Sequence, residues 1–203
     1  MFNVAVFVSG RGSNLKAIID HFSNKPGIIS IVGVISDRDS CLALELARFH
    51  NIPTFILDNS NQQSSYSQLK NNLLNADTDL IVLAGFLKKI PDSFVDDFKN
   101  KIINIHPALL PSFGGKGMYG ENVHKAVFAK SCKVSGPTIH FVDKVYDNGI
   151  IIAQRAVDIS DTKSWDEIAV RVLQKEHELL PEVIEKFAND KIRIQGSRVV
   201  YST

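Results

Sequence analysis

Short apolar runs separated by segments of helical period fill the first half of this 203-residue chain. The runs at 3–9 (NVAVFVS), 28–36 (IISIVGVIS), 53–57 (PTFIL), 79–84 (DLIVLA) and 101–106 (KIINIH) read as strands. Between them the spacing predicts helices over about 14–23, 40–50, 62–76 and 91–98. Strand and helix in strict alternation is the pattern of βαβ units and a parallel sheet. VAVFV and LIVLA are apolar throughout, as strands covered on both faces are. After residue 107 the pattern changes to a Gly-rich loop over 112–120 (SFGGKGMYG), a helix over 121–130, and strands around 138–143 (TIHFVD) and 150–157 (IIIAQRAV). Asp147-Asn148-Gly149 between those two strands is a hairpin signal, which predicts an antiparallel pair. Apolar residues at 165, 168, 169, 172, 173, 180, 183, 184 and 187 mark a long helix from Trp165 to Phe187, and 191–201 reads as a small closing hairpin. The expected fold class is α/β: a Rossmann-like, mostly parallel sheet with helices on both faces and antiparallel strands in the C-terminal half. No repeat, low-complexity tract or linker interrupts the chain, so one domain over 1–203 is expected.

Charge narrows the choice of partner. Lys and Arg number 23 against 22 Asp and Glu, a net charge of +1 with the cations scattered. That leaves no footprint for nucleic acid or a membrane surface, and small molecules are the expected partners. Cys41 and Cys132 are too few for a disulfide framework and lack CxxC spacing, which favours a reducing cytoplasm. The opening run MFNVAVFVSG has no basic leader and is broken by GRGSN, so it is expected to be a first strand. No apolar run approaches the ~20 residues that cross a bilayer.

Candidate chemistry gathers at predicted strand ends, where sheets of this kind bind their ligands. In NIHPALLP (104–111), Asn104 and His106 are two apart and share one face of a strand, while Ile105 turns to the other. Pro107 cannot extend the ladder, which makes His106 the last strand residue. SGRGSNL (9–15) joins the first strand to the first helix, where free backbone N–H groups and the helix dipole favour an anion. Leu15 stands where a dinucleotide fingerprint needs glycine, so one phosphate suits Gly12, Ser13 and Asn14 better than a pyrophosphate. The same residues can instead form a turn and a plain helix cap. Glu176 lies on the apolar stripe of the long helix, where a carboxylate needs a partner: an internal cation or the hydroxyls of a ligand. The six histidines show no HxH or HxxxH spacing, and no metal is expected. His21, His50 and His124 fall on ordinary helical segments as surface or packing residues, whereas His106 and His140 each sit on a strand near a sheet end. Asp147 at the hairpin mouth would complete an amide, imidazole and carboxylate set with Asn104 and His106. No nucleophile elbow accompanies it, so the set suits direct transfer of a carbonyl group to an amine.

SGRGSNL, LAGF, NIHPALLP, TIHFVD and DNGIIIAQ, in that order and spacing, resemble the phosphoribosylglycinamide formyltransferases, folate-dependent enzymes of purine synthesis. The resemblance covers nearly the whole chain. It implies transfer of formyl from the co-substrate 10-formyltetrahydrofolate to the amine of 5-phosphoribosylglycinamide, without a metal. By matching motif positions, Asn104, His106 and Asp147 would be the catalytic trio, with His140 standing behind them. Gly12, Ser13 and Asn14 would cradle the substrate phosphate, and Glu176 would meet the ribose hydroxyls. Leu87, Lys88, Lys89 and Ile90, together with Asn104, Asp143, Lys144, Val145, Tyr146 and Asp147, would hold the folate. A phosphate-binding βαβ half (1–106) and a folate and catalytic half (107–203) would divide the work. Three departures stand out: Lys88 replaces an arginine common among relatives, Gln63 replaces another ahead of Tyr66, and the 112–120 loop is longer and richer in glycine. Those glycines are expected to make the loop mobile, as a lid or as a plain loop.

The rivals share parts of this pattern. A methionyl-tRNA formyltransferase would need a further basic C-terminal domain, and a formyltetrahydrofolate hydrolase usually carries an N-terminal regulatory domain. From another class, a non-catalytic phosphate-binding regulator would be expected to have lost Asn104, His106 or Asp147. A cytoplasmic enzyme, with a homodimer as the oligomer to test for, is the working expectation.

Overall fold

The computed structural model describes residues 1–202. Strands β1 (Phe2–Val8), β2 (Ile29–Ser36), β3 (Thr54–Ile56), β4 (Leu80–Leu83) and β5 (Ile102–His106) alternate with helices α1 (Ser13–Ser23), α2 (Leu42–Phe49), α3 (Gln62–Asn75) and α4 (Asp92–Asp97). There follow α5 (Glu121–Ala129), β6 (Val134–Ser135), β7 (Thr138–Phe141), β8 (Ile151–Gln154), β9 (Val157–Asp158), α6 (Trp165–Ala188), β10 (Ile192–Gln195) and β11 (Arg198–Tyr201). Two compact units emerge, Met1–Ile103 and Asn104–Thr203, with the division falling on β5.

In the first unit the strand order is β3-β2-β1-β4-β5, and β1 pairs in parallel with both β2 and β4. Val4 to Val8 are fully buried, as the unbroken apolar run requires. Phe7 meets Phe86 and Phe94 edge-on at 5.4 and 6.2 Å. In the second unit the order is β5-β7-β8, with β7 and β8 antiparallel. Helix α5 packs on α6 through Val123, Val127, Ile168 and Val172, with Ala108 and Ile159 in the same cluster. Each such side chain contributes ~1.5–3 kcal/mol by leaving water. The fold is thus α/β, with a mostly parallel seven-stranded sheet and antiparallel pairing toward the C-terminus. Among the described residues no helix is long and apolar enough to cross a membrane.

One local expectation needs correction. The run at 150–157 is not one strand: β8 ends at Gln154, and β9 pairs instead with β6 in a separate two-stranded sheet. The break falls where the backbone passes Gly136 so closely that a Cβ there would sit 1.9 Å from the Arg155 carbonyl oxygen. The antiparallel pair expected from the Asp147-Asn148-Gly149 signal is present as β7 and β8. Residues 142–150 link β7 to β8, folded around Asp143, whose carboxylate accepts the Val145 N–H (2.8 Å) and the Asn148 side-chain amide (3.0 Å). Gly149 lies flat against β7, and a Cβ on it would approach the Phe141 carbonyl oxygen to 1.7 Å. Gly149→Ala is therefore expected to destabilise the protein by about 1–3 kcal/mol or more in urea unfolding, the cost of overpacking against backbone.

Candidate active site

The second unit gathers the polar residues of β5, β7 and the 142–150 loop. Side chains alternate along β5, so Ile105 is buried on one face while Asn104 and His106 share the other. The Asn104 side-chain amide lies 3.1 Å from His140 Nε2. His140 Nδ1 is 2.8 Å from the Phe141 carbonyl, which can only accept, so Nδ1 carries a proton. In neutral His140 the Nε2 then accepts from Asn104. That fixes the asparagine amide, with its second N–H still available. His106 Nε2 donates to the Phe113 carbonyl at 2.9 Å, and its Nδ1 faces Asp147 Oδ2 at 3.6 Å. Asp147 Oδ1 lies 3.6 Å from His140 Nε2, so one carboxylate serves two imidazoles.

Electrostatics set the roles apart. Burial holds the pKa of His106 below the usual histidine value; the Asp147 charge and the Phe113 carbonyl pull it back up, and His140 opposes them. Burial alone would raise Asp147, but His140, the His106 charge and the Gly115 amide together bring it below the ordinary carboxylate range. Asp147 stays ionised and is the main support for a proton on His106. His124 proves not to be a surface residue of α5. It is buried, its Nδ1 has no hydrogen-bond partner, and burial pushes it down to about 4, with the His106 charge adding to the effect.

The 112–120 loop is stitched to this cluster. The Gly115 N–H donates to Asp147 Oδ2 at 2.9 Å, and Phe113 and Met118 pack against the α5–α6 core. Gly114 lies so close to Leu110 that a Cβ would meet its side chain at 2.5 Å. Just upstream, the buried Thr138 hydroxyl donates to the Ala108 carbonyl (2.6 Å) and accepts the Leu110 N–H (3.0 Å). Gln154 Nε2 reaches both the Leu110 carbonyl (2.8 Å) and the Thr138 hydroxyl (2.9 Å). Sequence reasoning passed over this strap, although a threonine and a glutamine within apolar strand runs were its signal. Glu176 is buried on α6 among Val172, Leu179 and Leu180. Next to it His177 is half-buried, which lowers its pKa, and its Nε2 has no hydrogen-bond partner. Val145 and Tyr146 are exposed in the 142–150 loop.

The first unit holds the other predicted site residues. Helix α1 starts at Ser13 and its N-cap is Gly12, at φ 80°, so neither Ser13 nor Asn14 is the cap. A Cβ on Gly12 would strike Ala43 Cβ at 2.6 Å, and both the Cys41 thiol (2.9 Å) and the Ala43 N–H (3.2 Å) donate to the Gly10 carbonyl. The first turn of α2 thus backs the 9–14 loop and sets its path. After β4, Leu87 is largely exposed and Ile90 is buried, while Lys89 pairs with Asp92 at 2.7 Å. Gln63 is exposed in the first turn of α3. Among the described residues no group of three or more His, Cys, Asp or Glu side chains could hold a metal ion.

A family model described as "Formyl transferase" matches residues 2–184. A chloroplastic phosphoribosylglycinamide formyltransferase of Vigna unguiculata is 41% identical over 93% of this chain and 62% of the relative. The chain therefore spans less than two thirds of that plant protein. A phosphoribosylglycinamide formyltransferase of Bacillus subtilis is 33% identical over 92% of this chain and 94% of its own length. The crystal structure of phosphoribosylglycinamide formyltransferase from Anaplasma phagocytophilum superposes with a TM-score of 0.91 at 35% identity, covering 100% of this chain and 94% of that one. By fold, by family model and by these relatives, the chain belongs to the formyl transferase family, among the phosphoribosylglycinamide formyltransferases.

Proposed function

We propose that the protein transfers the formyl group of 10-formyltetrahydrofolate to the amine of 5-phosphoribosylglycinamide, a step of purine synthesis. The observation that carries this reading is Asp147 facing both His106 and His140 at 3.6 Å, with the Asn104 amide held by His140. The amine nitrogen would attack the formyl carbon, and the C=O electrons would move onto oxygen. The free N–H of Asn104 and the imidazolium of His106 would stabilise that oxyanion. As the tetrahedral species collapses, the bond from carbon to folate N10 breaks. N10 takes up a proton and the amine loses one, with the His106–Asp147 pair moving the charge. In the present arrangement the Nε2 proton of His106 goes to the Phe113 carbonyl. Offering it to a formyl oxygen requires the 113–115 segment to let go, which gives the loop a gating role.

Substrate-binding roles follow by motif position. Gly12, Ser13 and Asn14 would take the phosphate on the N-terminus of α1. Buried Glu176 would accept the ribose hydroxyls. Folate-contacting roles would fall to Leu87–Ile90 and to Asp143–Asp147, among which Leu87, Val145 and Tyr146 are exposed apolar side chains. Cytoplasmic residence belongs to the same reading, supported by the free thiols of Cys41 and Cys132.

Purified protein mixed with 10-formyltetrahydrofolate is expected to release tetrahydrofolate only when phosphoribosylglycinamide is present. Turnover without the amine would point to the hydrolase, and none with either to a regulator. His106→Ala is expected to lower kcat about 10²–10³-fold, or ~2.7–4 kcal/mol; a near-normal kcat would sink the assignment. Asp147→Asn removes the charge that counters burial of His106, so the His106 pKa falls further. The limb of the kcat/KM profile set by His106 should therefore move to lower pH in that variant. An unmoved limb would show that the two groups are not coupled.

A further inference from the structure

We propose that Asp37 and Lys88 form an internal strut that shapes the Leu87–Ile90 strip, with Lys88 acting through Asp37 and not as a receptor for the folate carboxylates. The inference rests on the folate reading above for its functional consequence.

Asp37 directly follows β2, at the carboxyl end of the strand, and its side chain is only 4% exposed. A carboxylate so buried costs several kcal/mol unless it is partnered. From this position an acidic residue of a dinucleotide-binding fold reaches a ribose. Here both oxygens are occupied from within. Oδ1 accepts the Ser9 hydroxyl at 2.6 Å, and Oδ2 faces Lys88 Nζ at 3.9 Å. The Ser9 oxygen in turn accepts the Leu87 N–H at 3.1 Å, so one hydroxyl relays the carboxylate to the strip backbone. Lys88 also donates to Asn59 Oδ1, and Asn59 Nδ2 donates to the Asp37 carbonyl at 2.9 Å. Four segments at the carboxyl ends of β1, β2, β3 and β4 are therefore tied to one residue.

This arrangement answers what the lysine does at this position. Its side chain is 42% exposed, so a ligand could reach it, yet its charge is turned to Asp37 and Asn59. A point charge on a flexible stem suits that inward pairing; the planar fork of arginine suits bidentate capture of a carboxylate. Removing Lys88 should accordingly loosen the strip whatever tail the folate carries.

The test compares wild type, Asp37→Asn, Lys88→Met and the double variant, using 10-formyltetrahydrofolate and its analogue without the glutamate tail, 10-formyltetrahydropteroate. Each single variant is expected to raise KM several-fold, and by the same factor for both folates. KM for phosphoribosylglycinamide should stay within about twofold, and the double variant should be no worse than the weaker single one. Hydrogen exchange at the Leu87 amide should quicken in all three. An effect of Lys88→Met confined to the glutamate-bearing folate, with wild-type exchange at Leu87, would overturn the strut and make Lys88 a direct contact. If wild type turns over neither folate, the functional reading fails, and Leu87 exchange still decides the strut. If Asp37→Asn does not fold, Lys88→Met with its two folates decides it.

Discussion

A single carboxylate kept ionised while half enclosed by protein is what the candidate site turns on. Asp147 sits at φ 54°, a backbone conformation that few residues other than glycine adopt readily. It holds that position with two imidazoles and a glycine N–H around its oxygens. Each neighbour is then constrained in turn. His106 has a counter-charge that partly offsets its burial, His140 Nε2 faces the same carboxylate, and the 113–115 segment is held to the cluster through the Gly115 N–H. Without the carboxylate, burial of His106 would go uncompensated except by the Phe113 carbonyl, and its pKa would fall further.

The features that follow from backbone periodicity were legible in advance. Asn104, Ile105 and His106 divide between two faces because a strand alternates, and Pro107 ends the strand because it has no N–H to give. Features that depend on tertiary neighbours were not. His124 reads as a surface or packing residue on a helix, and nothing local shows that it is buried with a lowered pKa. The 112–120 loop reads as mobile from its glycines, yet the partner of the Gly115 N–H is Asp147, 32 positions away. Asp37 carries no local signal, since nothing in the neighbouring sequence says that Ser9 and Lys88 converge on it. The hairpin signal at 147–149 located the antiparallel connection, while nothing local showed that the Asp143 side chain organises the loop.

The two units show one economy of design in different materials. In the first, the path of the 9–14 loop is set by steric contact: the first turn of α2 leaves room at Gly12 for a hydrogen and nothing more. In the second, the paths of the polar loops are set by charge and hydrogen bonds. Steric contact gives a fixed shape, whereas hydrogen bonds to a titratable group give one that answers to protonation and to competing acceptors.

The strap made by Thr138 and Gln154 has a mechanical meaning. Three hydrogen bonds clamp the chain between Ala108 and Leu110, directly upstream of Phe113, and a fourth ties Gln154 to Thr138. Any swing of the glycine-rich segment must therefore pivot beyond Leu110, and the clamp is its fulcrum. The Phe113 carbonyl can depart while His106, on the fixed side of the fulcrum, keeps its ring in place, so the histidine can exchange one acceptor for another without being re-aimed.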